Sequence, residues 1–213
     1  MEILITAGPT REALDPVRYL TNRSSGKMGY ALAAAAARLE HRVLLVSGPT
    51  DLDVPAGVDF IPVESAAEMF EAVRHHLARC ELAIFAAAVA DYRPAHPAAE
   101  KLKKDAAILT LELVRNPDIL GSARSLFGFA GTLVGFAAET SDLEAHARAK
   151  LTRKGCDLVV ANDVSRSDIG FDSDHNEVLL VYPDRSEALP RLPKEELAEQ
   201  VLEAAILLSS SRQ

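Results

Sequence analysis

Short runs of apolar residues alternate along the chain with alanine-rich or amphipathic stretches. Continuous apolar runs closed by Gly, Pro or small polar residues are typical of parallel strands buried on both faces. They predict strands at 3–7, 42–47, 58–63, 82–88, 133–138 and 157–161. The stretches between them predict helices at 28–39, 66–78, 142–154 and 194–208, the second with Ser65 as its N-cap.

The remaining segments predict loops and added antiparallel strands. We expect long loops at 11–26 and 91–105, and an added strand where apolar residues alternate at 108–113. Residues 177–182 and 187–192 bracket a Pro-Asp-Arg turn and predict a hairpin. Together the elements indicate an α/β fold of the Rossmann-like, doubly wound type. Such a fold has a mostly parallel sheet with helices on both faces, here with a small added antiparallel element.

Composition and charge narrow the class of protein. The 213 residues contain no repeat, linker or charge block, so a single domain spanning 1–213 is expected. A net charge of -8 argues against nucleic-acid binding. Because there is no signal peptide and no apolar run of about 18 residues, we expect a cytoplasmic protein that does not bind membranes. Cys80 and Cys156 lie beside apolar runs and are expected to be buried, reduced thiols.

Two familiar phosphate-binding motifs are absent. Gly-Pro-Thr-Arg-Glu follows the first strand, so the GxGxxG fingerprint of NAD and FAD proteins fails, and the Walker pattern fails around Gly26-Lys27. A different anion-binding segment remains just before the first predicted helix, where free N–H groups and the helix dipole attract anions. Its residues are Ser24, Ser25, Gly26 and Lys27. The alternative is that one of the two serines simply caps the helix.

Other unusual residues follow the carboxyl ends of the predicted strands. Asp91 after the fourth strand is either a ligand contact or a loop cap, and Phe136 either stacks on a base or packs in the core. The lysines from Lys101 to Lys104 are either a solvated run or a charge match for a triphosphate. Asn116 is predicted to cap a helix that starts at Pro117. The sequence contains no spacing typical of a tightly bound structural metal, although Mg²⁺ can arrive with a nucleotide.

These segments together resemble the bacterial phosphopantothenoylcysteine synthetase family. The stretches that carry the resemblance run in family order from Ile5 to Ser165, and they are ITAGPTREALDPVRYLTNRSSGKMGYALA, LVSGPT, AAAVADYRP, EKLKK, NPDIL, VGFAAET and ANDVS. The resemblance implies a modified Rossmann fold, a homodimer and a ligase that joins 4′-phosphopantothenate to cysteine. It implies CTP as co-substrate with Mg²⁺, and an acyl-cytidylate intermediate.

The resemblance also implies roles for individual residues. Asn22, Lys101 and Arg18 match the family's catalytic positions. The nucleotide would contact Phe85, Ala86, Ala87, Asp91, Lys101, Pro117, Asp118, Ile119, Leu120, Phe136, Lys150 and Lys154. Asn22 would contact the activated acyl group, and Ser24, Ser25, Gly26 and Lys27 are our physical candidates for binding the substrate phosphate.

One feature departs from the bacterial family pattern. The bacterial enzymes usually carry a flavin-dependent decarboxylase domain ahead of this one, and no segment of the sequence matches it, so FMN is not expected here. Two alternatives to the ligase remain open. One is a Rossmann-like NAD(P)-dependent oxidoreductase, which the missing GxGxxG disfavours, and the other is a non-catalytic nucleotide-binding module.

Overall fold

A computed structural model describes residues 1–103, 107–165 and 173–210. The strands in chain order are β1 (Glu2–Ala7), β2 (Arg11–Ala13), β3 (Tyr19–Thr21), β4 (Arg42–Ser47), β5 (Val58–Pro62), β6 (Leu82–Phe85), β7 (Tyr92–Pro94), β8 (Leu113–Arg115), β9 (Thr132–Glu139), β10 (Leu158–Asp163), β11 (His175–Val181) and β12 (Ser186–Pro193). The helices are α1 (Lys27–Arg38), α2 (Ala66–His76), α3 (Ile119–Ser125), α4 (Leu143–Lys154) and α5 (Lys194–Ser210), and a short 3₁₀ turn at Leu77–Arg79 follows α2.

An eight-stranded sheet forms the centre of the molecule. Its strand order is β12-β11-β10-β9-β6-β1-β4-β5. The six strands from β10 to β5 in this order are parallel, and β11 and β12 add an antiparallel edge. The pairs β2–β3 and β7–β8 form two small antiparallel sheets of their own. The predicted doubly wound α/β fold is therefore confirmed.

Alternate residues of the central strands face two separate cores. In β1, Ile3 and Ile5 pack with α1 and α5 on one face of the sheet. Leu4 packs on the other face with α2, α3 and α4. All three side chains are fully buried, so β1 has no solvated face, as its continuous apolar sequence indicates. Cys80 and Cys156 are buried free thiols, as predicted.

The predicted loops contain more structure than their sequences indicate. Residues 11–26 include the β2–β3 hairpin, and the segment expected to be a loop from 91 includes β7. The added strand is β8 at Leu113–Arg115, where it pairs with β7, rather than at 108–113. Ile108 is 81% exposed, so its alternation with polar neighbours does not reflect a buried face. Strand β6 ends at Phe85 instead of continuing to residue 88.

Two N-cap residues were predicted from the sequence, and the structure confirms one of them. Ser65 caps α2, as predicted, because its hydroxyl accepts a hydrogen bond from the Glu68 N–H at 3.2 Å. The prediction that Asn116 caps α3 was wrong. Asp118 is the cap, since its Oδ1 accepts from the Gly121 N–H at 2.9 Å, and the helix begins at Ile119.

Within the described ranges, no helix combines the length with the apolar character that crossing a membrane requires.

Candidate active site

A cleft in two connected halves lies at the carboxyl ends of β1, β6 and β9. The first half, which we call the α4 half, has a volume of about 510 Å³ and is bounded by the 115–120 segment and by α4. The second, which we call the α1 half, has a volume of about 490 Å³ and is bounded by residues 22–29. Both halves share the residues Ala87, Val89, Asp91, Phe136 and Lys150. This is the edge of a parallel sheet where ligands are expected.

The α4 half combines an apolar floor with cationic side chains. Phe85, Leu120 and Phe136 supply apolar surface, and Lys150, Arg153 and Lys154 line the same space. A planar base with phosphates attached needs both kinds of surface. The structure brings all of the predicted nucleotide contacts except Ala86 and Lys101 to this half, namely Phe85, Ala87, Asp91, Pro117, Asp118, Ile119, Leu120, Phe136, Lys150 and Lys154. Ala86 lines the α1 half.

The two lysines of α4 have different partners. The Nζ of Lys150 donates to the Phe136 carbonyl at 2.5 Å, and burial lowers the pKa of Lys150. Lys154 forms an ion pair with Asp118. Burial raises the pKa of Asp118, but the hydrogen bonds from Lys154 and from the Gly121 N–H outweigh it, so the pKa lies below its usual value. Two like charges that share one helix face are thus bound by different groups, a backbone carbonyl and a carboxylate.

The α1 half is built around the first turn of α1. The N-cap is Gly26, with φ of 76° and no side-chain cap bond, so neither serine occupies the N-cap position. Ser24 Oγ instead accepts from the Gly26 N–H at 3.3 Å. Lys27 is paired with Asp174 at 2.6 Å. All four predicted anion-binding residues, Ser24, Ser25, Gly26 and Lys27, line this half.

Buried polar residues at the far wall of the α1 half extend the candidate site. Asn162, Asn176 and Lys194 line this half, and each is less than one-tenth exposed. Asn162 belongs to the ANDVS stretch that carries the family resemblance, whereas Asn176 and Lys194 lie outside the stretches that carry it. Lys194 begins α5, where a lysine gives no recognisable signal in the sequence.

The 86–91 segment between the two halves is held in place by side chains from other elements. Thr10 Oγ1 accepts from the Ala90 N–H at 3.0 Å, and Asn116 Nδ2 donates to the Ala90 carbonyl at 2.8 Å. Asn22 Nδ2 donates to the Val89 carbonyl at 2.9 Å. Asn22 therefore lies at the wall of the cleft and ties its α1 side to the segment that both halves share.

Two predicted catalytic residues do not line the cleft. Arg18 lies in the turn of the β2–β3 hairpin, where it pairs with Asp15 and donates to the Leu102 carbonyl at 2.9 Å. Lys101 is exposed on the adjoining segment. The structure thus places Arg18 next to the segment that carries Lys101, but neither residue lines the cleft that Asn22 lines.

The donor set within the described ranges does not favour a resident metal. No group of three or more His, Cys, Asp or Glu residues lies close enough to hold an ion there. Asp91 is an exposed carboxylate at the junction of the two halves. One carboxylate suits Mg²⁺, which commonly takes most of its remaining ligands from substrate phosphates and water.

The fold and the cleft define an α/β protein of the doubly wound class with a ligand site at the carboxyl ends of its parallel strands. The chain belongs to the family described as the DNA/pantothenate metabolism flavoprotein C-terminal domain, which matches residues 1–208. This assignment agrees with the resemblance in the sequence.

Curated relatives come from several bacteria. The coenzyme A biosynthesis bifunctional protein CoaBC of Vibrio parahaemolyticus is 52% identical over 203 residues, covering 94% of this chain and 51% of that protein. The CoaBC protein of Escherichia coli K12 is 48% identical over 209 residues, covering 97% of this chain and 52% of that protein. The chain thus spans about half the length of the curated relatives it matches.

Solved structures agree with this assignment. A crystal structure of the C-terminal domain of CoaBC superposes with a TM-score of 0.82 at 42% identity, covering 98% of this chain and 96% of that one. The DNA/pantothenate metabolism flavoprotein from Streptococcus pneumoniae also gives a TM-score of 0.82, over 96% of this chain and 97% of that one. At 23% identity, the second likeness shows the fold alone.

Proposed function

We propose that the chain is the ligase that joins 4′-phosphopantothenate to cysteine in coenzyme A biosynthesis, with CTP as the activating nucleotide. The observation that carries the proposal is the two-part cleft. One half offers aromatic and cationic surface, and the other offers a helix N-terminus with Gly26 as its N-cap. The two halves meet at Asp91 and at Val89, whose carbonyl accepts a hydrogen bond from Asn22. The relatives named for coenzyme A biosynthesis, at 48–52% identity, support the choice of substrates.

The reaction has two steps. A carboxylate oxygen of phosphopantothenate attacks the α-phosphorus of CTP, which forms an acyl-cytidylate and expels pyrophosphate. The amine of cysteine then attacks the acyl carbon, and CMP leaves with the bridging oxygen. Loss of a proton from nitrogen completes the amide. The site contributes mainly by holding the reacting atoms together and by stabilising the charge that develops on phosphorus.

The two halves of the cleft divide the substrates between them. CTP would occupy the α4 half, with its phosphates near Lys150 and Lys154. Phosphopantothenate would occupy the α1 half, with its phosphate at the first turn of α1, where backbone N–H groups and the helix dipole favour an anion. Its carboxylate would then reach the α-phosphate at the junction of the halves, where the Asn22 amide contacts the acyl group.

Two further groups assist in this scheme. Lys101 would supply positive charge to the reacting phosphate from the segment beside Arg18, as the family resemblance implies. Asp91 would hold Mg²⁺ together with the nucleotide, and the ion would offset phosphate charge. The preference for CTP rests on the likeness of the 88–92 and 101–104 stretches to the bacterial branch of the family. The two buried free thiols are consistent with a cytoplasmic location.

We also propose that the chain forms a homodimer through its two small sheets. Strand β2 packs beside β7, so the two sheets form one neighbouring surface. Eight of the thirteen exposed large apolar side chains in the described ranges lie on these hairpins or beside them: Val17, Tyr19, Tyr92, Ile108, Leu109, Leu111, Leu113 and Val114. An apolar concentration of this kind is typical of a protein interface.

A half-reaction assay tests the ligase. With CTP, Mg²⁺ and phosphopantothenate, the protein should release pyrophosphate in an amount close to its own, and cysteine should then trigger continuous release of CMP. Absence of both products with CTP and with ATP would contradict the proposal. Saturable binding of CTP without product would instead identify a non-catalytic module. Tight binding of NADPH would favour the oxidoreductase alternative.

A further inference from the structure

The carboxylate of Asp15, in the turn of the β2–β3 hairpin, lies outside the cleft but is one of the most heavily bonded groups of the described chain. Its side chain is 0% exposed. Five hydrogen bonds converge on its two oxygens, from the backbone N–H groups of Val17, Arg18 and Leu102 and from two nitrogens of the Arg18 guanidinium. Four of these bonds come from residues of the turn itself, as is typical of an aspartate in a turn, and the fifth comes from Leu102, in another segment of the chain.

Leu102 is the partner that lies far away in sequence. Its N–H donates to Asp15 Oδ2 at 3.1 Å, and its carbonyl accepts from Arg18 Nη2 at 2.9 Å. Both polar groups of this residue's backbone are therefore held by one ion pair. A third bond, from the Ala98 N–H to the Leu14 carbonyl at 2.9 Å, fixes the same segment to the same turn. The segment makes these contacts at two points, which restrains its direction as well as its position.

The residue directly before Leu102 is Lys101. Adjacent Cα atoms in a chain are about 3.8 Å apart, so fixing both sides of Leu102 fixes the base of the Lys101 side chain. The same hairpin carries Asn22 immediately after β3, and Asn22 is bonded to the cleft wall at Val89. One short hairpin thus connects the Lys101 segment to the junction of the two halves.

We infer that Asp15 is a positioning residue, which acts by holding the backbone of Leu102 beside the cleft and so fixing the point from which the exposed side chain of Lys101 reaches toward the reacting phosphate. The inference rests on the proposed function, since it gives Lys101 its role in charge stabilisation. Asp15 itself touches neither half of the cleft. We call the bonds that join the Leu102 backbone to Asp15 and Arg18 the clamp. Displacement of a catalytic group by about 1 Å can lower a rate by up to about a hundredfold, so loss of the clamp should have a measurable effect on turnover.

Arg18 keeps the clamp charged across the working pH range. The hydrogen bond from its guanidinium, together with three backbone N–H groups, holds the pKa of Asp15 well below its usual range despite burial. Replacement by Asn removes this charge. It also gives the Leu102 N–H and the guanidinium a partner that can present an NH₂ group where both require an acceptor. Asp15→Asn is therefore the informative variant.

Glu12 supplies a matched control. It is a second buried carboxylate of the same hairpin, 2% exposed, and its Oε1 accepts from the Ala66 N–H at 2.9 Å, at the start of α2. Glu12→Gln should weaken the hairpin's attachment without touching Leu102. Both variants should be compared at a temperature where both are folded, as judged by circular dichroism.

The test is a double-mutant cycle with Lys101→Gln. Asp15→Asn should lower kcat by about tenfold or more with little change in the KM for CTP, and it should have less than about a twofold effect when Lys101 is already Gln. Glu12→Gln should leave kcat within about twofold in both backgrounds. An equal loss from Asp15→Asn in both backgrounds would overturn the inference, because it would mean that Asp15 does not act through Lys101.

A second measurement does not depend on catalysis. Hydrogen exchange of the Leu102 amide, followed by NMR, should be at least about tenfold faster in Asp15→Asn than in the parent chain and unchanged in Glu12→Gln. Unchanged exchange in Asp15→Asn would show that the clamp does not hold Leu102 and would overturn the inference. If the parent chain lacks ligase activity with every nucleotide, the proposed function fails on its own, and the exchange result still decides whether the clamp exists.

Discussion

Lys101 is the residue at which catalysis and folding are most easily separated. It is exposed and lies on an irregular segment, so Lys101→Gln should change the free energy of unfolding by no more than about 0.5 kcal/mol. With the proposed role of Lys101 in neutralising the reacting phosphate, loss of its charge should lower kcat by about a hundredfold. Steady-state kinetics and urea unfolding of the same preparation provide both values. Comparable losses in activity and stability would assign Lys101 a structural role.

Asn22 should respond differently, because its amide is part of the cleft wall. Asn22→Asp would direct a carboxylate oxygen at the Val89 carbonyl, now 2.9 Å from the amide nitrogen, and would place a negative charge beside an anionic intermediate. We expect slower formation and slower consumption of the acyl-cytidylate. Rapid-quench measurements separate these steps, and unchanged rates for both would remove Asn22 from the catalytic group.

Asp15 also gives the molecule a defined acid sensitivity. Because its pKa is depressed in the folded state, its contribution to stability is fully present above its unfolded pKa of about 3.9 and is lost as the pH falls toward the folded value. Asp15→Asn should therefore destabilise the chain clearly at pH 7, and the difference from the parent should shrink below about pH 4. Urea unfolding across this range measures the effect, and a difference independent of pH would contradict it.

At the scale of elements, α1 reaches the cleft because Gly29 lets it approach β1. A Cβ at Gly29 would lie 2.5 Å from the Ala7 Cβ, so Gly29→Ala must push the first turn of α1 outward. We expect a cost of about 1–3 kcal/mol and weaker binding of phosphopantothenate, measured by unfolding and calorimetry. Gly57→Ala is the control: its φ of 79° strains an alanine and so costs stability, but the added carbon meets nothing within 4 Å, so the affinity for phosphopantothenate should stay unchanged. If both variants bound phosphopantothenate with equal affinity, α1 would not be the site that binds the substrate phosphate.

The elements differ in how far the sequence predicts them. Long apolar runs such as β1 and β4 are recognisable because both faces of each strand are buried, and the Ser65 cap is a local signal. The strands of the β2–β3 and β7–β8 pairs have only three residues each, too few to show a periodicity. Strand β2 also packs beside β7, a contact between segments that are distant in sequence. Asn116 has the local signature of a cap, but its side chain bonds to Ala90 and Arg93 instead.

The residues of the candidate site also differ in how far the sequence predicts them. Residues next to strand or helix ends, such as Asp91 and Ser24, were identifiable because the fold brings such ends together. Asn176 and Lys194 enter the cleft only through the packing of β11 and α5, so no local pattern distinguishes them. The link from Asp15 to Leu102 joins positions 87 residues apart and also depends on tertiary structure.

At the scale of the whole molecule, the exposed apolar surface of the hairpins should govern assembly. Leu113 is 43% exposed on β8, and Leu113→Asp should convert the proposed dimer to monomer by placing a charge within the interface. Sedimentation velocity at micromolar concentration measures the mass. Leu126→Asp changes a 67% exposed leucine at the end of α3 and should leave the mass unchanged. A monomeric parent chain, or a dimer that survives Leu113→Asp, would contradict the proposed interface.

The central claim is that the carboxylate of phosphopantothenate is activated by transfer of a cytidylyl group, and isotope transfer tests it most directly. When phosphopantothenate carries ¹⁸O in its carboxylate, attack on the α-phosphorus followed by aminolysis must leave one ¹⁸O atom in the phosphate of CMP. Mass spectrometry of the nucleotide product should therefore find singly labelled CMP and unlabelled pyrophosphate. Label in inorganic phosphate with CDP as the other product, or CMP without label, would contradict the account.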